Sequence, residues 1–376
     1  MIKFNQSNIK LQDIKLAEKS IKSGWLTHGK YTKLFEEHFK VFTGAKYAVT
    51  VSSCTAGLHL SCLACGFNKG DEVLVPSITH TATAHAVEYC GAKPIFIDVN
   101  ELTGNISYES LKKSINSKTK GLILVHMAGT ACEIDKIYKL CKVKKIKILE
   151  DCAHSLGTLY KKKHVGNFGI SGSFSFYPTK QITTGEGGMV ITNDFSFYKR
   201  ILKLKAFGIN NDINKRAIPG KYDVNLLGFN YRLTDFQSAL GYSQLSRYKF
   251  DLKKRRAIAK RYIKNLIKFD KISICPFNKN NSYFIFPVLV FKNNRDSILK
   301  KLKLSNIGCS IHYATPLFSY KFYKKKYYRD YKRKYSKFLK SISFANHNIS
   351  LPVYSKLSLK EVDIICKKII NIVYEQ

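Results

Sequence analysis

The sequence predicts an α/β fold, a large unit with a mainly parallel sheet sandwiched by helices and then a smaller C-terminal α+β unit. Three observations carry this. Short β-rich runs alternate with helix-length segments over the first two thirds, as βαβ units require. The run Ile146-Lys147-Ile148-Leu149 is nearly all apolar, which suits a strand covered on both faces. From about Leu233 the alternation stops and a long Lys- and Arg-rich helical stretch takes over.

In chain order the strands are expected at Tyr47–Val51, Glu72–Val75, Pro94–Asp98, Gly121–His126, Ile146–Glu150, Ser173–Phe176 and Gly188–Thr192. Helices fill Thr55–Phe67, Thr81–Cys90 and Ile134–Val143. The second unit reads as a helix over Lys249–Phe269, a strand Phe284–Phe291, a helix near Asp296–Leu304, a strand near Gly308–His312 and a closing helix Lys360–Tyr374. In that last helix Val362, Ile365, Cys366, Ile369 and Ile370 recur at helical spacing, which turns one face inward. The units are therefore placed at 1–248 and 249–376, in keeping with a length of 376 residues.

Composition narrows the function classes. Hydrophobic residues make up 45%, enough for a sizeable core. No stretch approaches the ~18 apolar residues of a membrane span, and the start shows no basic-then-apolar leader. The expectation is a soluble cytoplasmic protein. Ten cysteines build no disulfide framework, and Cys62–Cys65 has no second pair to make a zinc site, so buried free thiols and no metal are expected. Net charge is +38, with 39 basic against 11 acidic residues after position 190. The densest run, Lys321–Lys340, holds ten basic residues, one acid and five tyrosines. It reads either as a solvated Lys-rich face or as an attraction for anionic partners.

Four polar clusters stand where strands end, which is where open parallel sheets carry their sites. Asp151, in Glu150-Asp151-Cys152-Ala153-His154-Ser155, offers a carboxylate that can keep a pyridine nitrogen protonated; its plainer role is a helix cap. Lys180 follows an aromatic strand and the turn Tyr177-Pro178-Thr179, with Gly185, Gly187 and Gly188 beyond it. Partial desolvation would make such an amine nucleophilic. Ser52-Ser53-Cys54-Thr55-Ala56 runs from a strand into a helix and offers hydroxyls and free N–H groups to a phosphate, with Ser175 in reach of the same anion; ordinary capping is the alternative. His80, in Pro76-Ser77-Ile78-Thr79-His80, presents a planar ring for stacking, or is an ordinary part-buried histidine.

Together with Ser23-Gly24-Trp25-Leu26-Thr27-His28-Gly29, Phe35-Glu36, Gly228-Phe229-Asn230-Tyr231-Arg232-Leu233-Thr234-Asp235-Phe236-Gln237 and Ser350-Leu351-Pro352, these segments resemble the sugar-nucleotide aminotransferases, the perosamine-synthase-like branch of the fold-type I pyridoxal-phosphate enzymes. The resemblance spans nearly the whole chain and implies roles. Lys180 is the Schiff-base lysine and Asp151 faces the pyridine nitrogen. His154 contacts the phenolic oxygen, His80 stacks on the ring, and Thr55, Ala56 and Ser175 hold the phosphate. Asn230 reaches the phosphate of the neighbouring subunit, which implies a homodimer. Cys54 departs from the Gly or Ala of many relatives. The implied reaction moves an amino group from L-glutamate to a nucleotide-diphosphate-linked keto sugar, a 4-keto-6-deoxyhexose by analogy, and gives 2-oxoglutarate. Arg232, His312 and Tyr313 are candidates for substrate contact.

Rival readings make separate predictions. A deoxygenating relative would carry His in place of Lys180, and amination at C3 rather than C4 of the sugar is an alternative within the family. A non-catalytic anion- or nucleic-acid-binding protein would leave Asp151, Lys180 and the glycines without a task. A dinucleotide enzyme is disfavoured, since no GxGxxG follows a strand.

Overall fold

The computed structural model describes residues 1–209, 218, 220–292, 294–327 and 335–375. The first unit holds β1 (Tyr47–Val51), β2 (Glu72–Pro76), β3 (Lys93–Ile97), β4 (Thr119–Val125), β5 (Lys147–Asp151), the short pair β6 (Leu159–Tyr160) and β7 (Lys163–His164), then β8 (Ser171–Ser175) and β9 (Gly188–Thr192). Seven of these form one sheet in the order β1-β9-β8-β5-β4-β2-β3. β9 pairs antiparallel with both its neighbours, and every other pairing is parallel. All seven expected strands are present, with ends moved by one or two residues.

Period-two alternation sorts their side chains into two layers. Leu122 and Leu124 join Phe35, Phe39, Ile148 and Phe174 on one face. Ile123 joins Val51, Leu58, Val75, Leu149 and Val190 on the other. The sheet is thus buried on both sides, the condition under which parallel strands are apolar throughout.

The helix Asp235–Leu266, 32 residues long, runs across the expected division at 248/249. It begins fourteen residues before the expected Lys249. Its first turns bury Ser238, Gly241, Ser243 and Gln244, small and polar residues that show no apolar stripe in the sequence. Leu245, Tyr248 and Leu252 pack on the sheet core, while Ile258, Tyr262 and Leu266 enter a second core. That core also takes Phe286 and Val288 of β10 (Phe286–Leu289), Ile349 and Leu351 of β11 (Asn348–Leu351), and Val362, Ile365 and Ile369 of the closing helix Leu359–Tyr374. The expected strand at Gly308–His312 is not formed as an element. Only Ser310 bridges, to Ser350, so no ladder develops there. Residues 328–334 of the basic run lie outside the described residues; its first part is the helix Lys321–Lys326.

Two motifs far apart in the sequence meet. Asp235, fully buried, accepts from Thr32 N at 2.8 Å, Thr32 Oγ1 at 3.0 Å and Tyr31 N at 3.3 Å, capping the helix Lys30–Thr43. Its own N–H donates to Leu26 O at 2.7 Å. Gly29 is needed here because a Cβ would sit 2.4 Å from the Asp235 carboxyl.

Candidate active site

Strand register brings Val51, Gly188 and Ser175 side by side, with Asp151 opposite Ser173 on the next strand. The carboxyl ends of β1, β8 and β5 therefore form one edge, and the expected cofactor residues collect there. β9 begins at this edge instead of ending there. Gly188 is what lets it approach, since a Cβ would lie 2.6 Å from the Ser53 carbonyl carbon and 2.7 Å from Cys54 N.

Asp151 is buried. Its Oδ2 accepts from Thr83 Oγ1 at 2.8 Å, and Oδ1 accepts from Ala153 N at 3.1 Å. The Cys54 thiol stands 3.9 Å from Oδ1 and donates to Ser173 O at 3.4 Å. Burial pushes that thiol well up, so Cys54 is a neutral side chain under the site. Among the described residues no cation forms an ion pair with Asp151. Its neighbour Glu150 has a structural task. It accepts from Gly166 N, Phe168 N, Gly169 N and His126 Nε2 at 2.6–2.9 Å, which uses its lone pairs and pins the chain entering β8. The donors of His126, Glu150 and Cys152 lie close together, but this bonding leaves Glu150 nothing to offer an ion.

Lys180 lies on a turn held from three sides. Gln244 clasps Thr183 N and O at 3.1 and 2.6 Å, Gln237 donates to Glu186 O at 2.9 Å, and Gln181 donates to His154 O at 2.8 Å. The ammonium stands 4.4 Å from the centre of the Phe284 ring. Burial lowers its pKa to about 8, against the opposing influence of Cys54 and Asp151. Near neutrality a fraction of this amine is therefore uncharged and nucleophilic.

The His154 ring stacks on Phe284 (4.4 Å, 21°), and the Tyr313 ring lies near-parallel to it with centroids 6.3 Å apart. Burial, and then the nearby Lys180, His312 and His80, hold its pKa well below the ordinary value. The Tyr313 hydroxyl, kept protonated by burial, lies 3.4 Å from Nε2. A neutral imidazole that accepts at Nε2 carries its proton on Nδ1. Nδ1 is buried and has no partner among the described residues. With Nε2 accepting from Tyr313, Nδ1 is a buried donor that a ligand oxygen would satisfy.

The remaining expected residues divide. His80 is exposed and caps the helix Thr81–Tyr89, its Nδ1 accepting from Ala82 N at 3.2 Å, with its ring 6.0 Å from that of Tyr313. The Ser53 side chain accepts from Ala56 N at 3.0 Å. Thr55 and Ala56 line a cavity of about 470 Å3 with Ser52, His59, Phe229 and Tyr231. Ser175 ends β8 and accepts from Tyr177 N at 3.4 Å. His312 bonds Ser350 Oγ at 3.0 Å and stacks on Phe4, and burial with Lys180 and His80 nearby lowers its pKa to about 4. Asn230 and Arg232 are not drawn into this group. They bond each other at 2.9 Å, with Arg232 over Phe207 and near His28, and Asn230 is exposed. Thr83, Phe284 and Gln244 were given no site role in the sequence reading, because threonine, phenylalanine and glutamine carry no distinctive spacing.

The comparisons agree with this architecture. Residues 7–370 match the model of the DegT/DnrJ/EryC1/StrS aminotransferase family. The chain is 34% identical over 348 residues to a GDP-perosamine synthase of Escherichia coli O157:H7, covering 92% of each. Its structure superposes on Helicobacter pylori PseC, an aminotransferase involved in the biosynthesis of pseudoaminic acid, with a TM-score of 0.91, 28% identity and 100% of both chains covered. The PLP-form of the putative sugar aminotransferase Spr1654 from Streptococcus pneumoniae gives 0.90 at 27% identity, covering 100% of this chain and 99% of that one. With sheet order, site and sequence in accord over nearly its full length, the chain belongs to the DegT/DnrJ/EryC1/StrS family of sugar aminotransferases.

Proposed function

We propose that this chain binds pyridoxal phosphate at the Asp151–Lys180 edge and transfers an amino group from L-glutamate to a nucleotide-diphosphate-linked keto sugar, a 4-keto-6-deoxyhexose, in the cytoplasm. One observation carries the reading. A buried carboxylate with only neutral partners stands within electrostatic reach of a lysine whose amine is part-neutral. The acid is short of a cationic partner, and a pyridinium supplies one.

The residues present fit the group. Asp151 would hold the ring nitrogen, His154 Nδ1 would donate to the phenolic oxygen, and His80 would cover the ring. Thr55, Ala56 and Ser175 would hold the phosphate at a helix N-terminus, where backbone N–H groups favour anions. Bound there, pyridoxal phosphate supplies an electron sink and carries the amino group between donor and acceptor. Lys180 Nζ would anchor it and, once freed, would take the proton from the substrate carbon and deliver it to the cofactor's C4′ carbon, a task suited to a base with a pKa near working pH. Phe284 and Tyr313 exclude water around that amine. Tyr313 and His312 face the sugar, and Arg232 the diphosphate. Asn230 completes the phosphate site of the partner in a homodimer.

Lys180→Ala is expected to abolish both the visible absorbance of the loaded protein and its turnover; full turnover in that variant defeats the scheme. Incubation with glutamate and a panel of nucleotide 4-keto sugars, with products identified by mass and NMR, assigns the sugar and separates C3 from C4 amination.

A further inference from the structure

Thr83 lies on the helix Thr81–Tyr89, one turn after His80, and is fully buried. Its Oγ1 is 2.8 Å from Asp151 Oδ2 and 2.9 Å from Thr79 Oγ1. A hydroxyl has one proton, and an ionised carboxylate can only accept. The Thr83 proton therefore points to Asp151, and the Thr79 proton must point to Thr83. The two hydroxyls form a chain with a single direction, ending on the acid. Hydrogen bonds in series polarise one another, and one that ends on a charge is stronger than a neutral pair. Oδ1 is fixed separately by Ala153 N. With both oxygens held, the carboxyl plane has one orientation.

Resting on the functional reading above, we propose that Thr83, backed by Thr79, is a positioning residue that aims Asp151 at the cofactor's ring nitrogen. One segment thus does two jobs, since His80 covers the ring from the turn that also delivers the hydroxyl. Thr83→Val keeps the shape and removes the donor; Thr83→Ser keeps the donor and removes a methyl.

The test uses full-length apoprotein reconstituted with pyridoxal phosphate, read by cofactor affinity and by the pH titration of the visible band. Thr83→Val is expected to weaken affinity about tenfold, the size of a lost hydrogen bond to a charged group. Its absorbance midpoint moves to higher pH, because a ring nitrogen less firmly protonated leaves the linkage at Lys180 more basic. Thr83→Ser returns both readings to within about twofold of wild type, which a packing role would not predict. Affinity and midpoint unchanged in Thr83→Val overturn the proposal, as does a Thr83→Ser as impaired as the valine variant. Should Thr83→Val not fold, Thr79→Val, which cuts the chain one link earlier, decides: a smaller shift in the same direction supports it and none overturns it. A wild type that takes up no cofactor overturns the functional reading itself, whereas normal uptake beside an unaltered Thr83→Val overturns only the role of Thr83.

Discussion

At Lys180 two opposing influences meet. Desolvation favours the neutral amine, Cys54 and Asp151 favour the charged one, and desolvation prevails, leaving the pKa at about 8 against 10.5 for an ordinary lysine. The sign of the consequence follows by linkage. The unfolded chain binds the extra proton between about pH 8 and 10.5, so the folded apoprotein gains stability as pH rises through that window. The rate at which apoprotein captures pyridoxal phosphate should rise with pH and bend near 8. A stopped-flow profile still climbing to 10.5 would remove the desolvation argument. His164 shows the same physics without chemistry. It bonds Gly157 N at 2.8 Å and Val165 O at 2.5 Å, and burial lowers its pKa from 6.5 to about 4 despite the Val165 carbonyl and Glu150. The unfolded histidine takes its proton first as pH falls from 6.5 to 4, so stability drops over that range by on the order of 3 kcal/mol. Thermal melts across those pH values should show the loss, and His164→Gln should reduce it by the share of His164, leaving that of His154 and His312.

Among the elements, β9 depends on a glycine for its place at the site edge. Gly188→Ala should push its side chain into the Ser53–Cys54 backbone, costing about 1–3 kcal/mol as overpacking does and distorting the turn into the helix Cys54–Ala64. A melting curve and a cofactor titration check this, and a variant with unchanged affinity would show that the turn has room. That glycine was legible in the sequence as a source of tight turns, whereas its actual task is to keep space for a neighbouring strand. The difference is general here. All seven main strands could be read from the sequence, because β-rich runs between turn residues are a local signal. The start of the long helix could not, because the face it buries there carries Ser238, Gly241, Ser243 and Gln244, small and polar residues that leave no apolar stripe to mark the period. Lys180, Asp151 and His154 were found through motifs. Thr83 was not, since only the folded contact between two strand exits distinguishes it from any other helical threonine.

For the whole molecule, the issue is where Asn230 acts. It is exposed and bonded to Arg232, next to Phe229 and Tyr231, which border the Thr55–Ala56 turn. If it serves a partner's phosphate, Lys180→Ala and Asn230→Asp should each inactivate, and co-expressing the two variants should restore activity. Random pairing gives half mixed dimers, each with one site intact, so roughly a quarter of wild-type turnover is expected. No recovery would confine every required residue to one chain.

The helix Asp235–Leu266 touches both ends of this system. Near its start Gln237 and Gln244 grip the Lys180 turn; near its end Tyr262 and Arg255 bond the carbonyls of Pro352 and Val353. At 1.5 Å per residue its 32 residues form a rod about 48 Å long. Such a rod acts as a lever. A swing of about 5° at the far end carries the near end through roughly 4 Å, more than the length of a hydrogen bond. A shift among the C-terminal elements would thus be felt mechanically at the turn that carries Lys180.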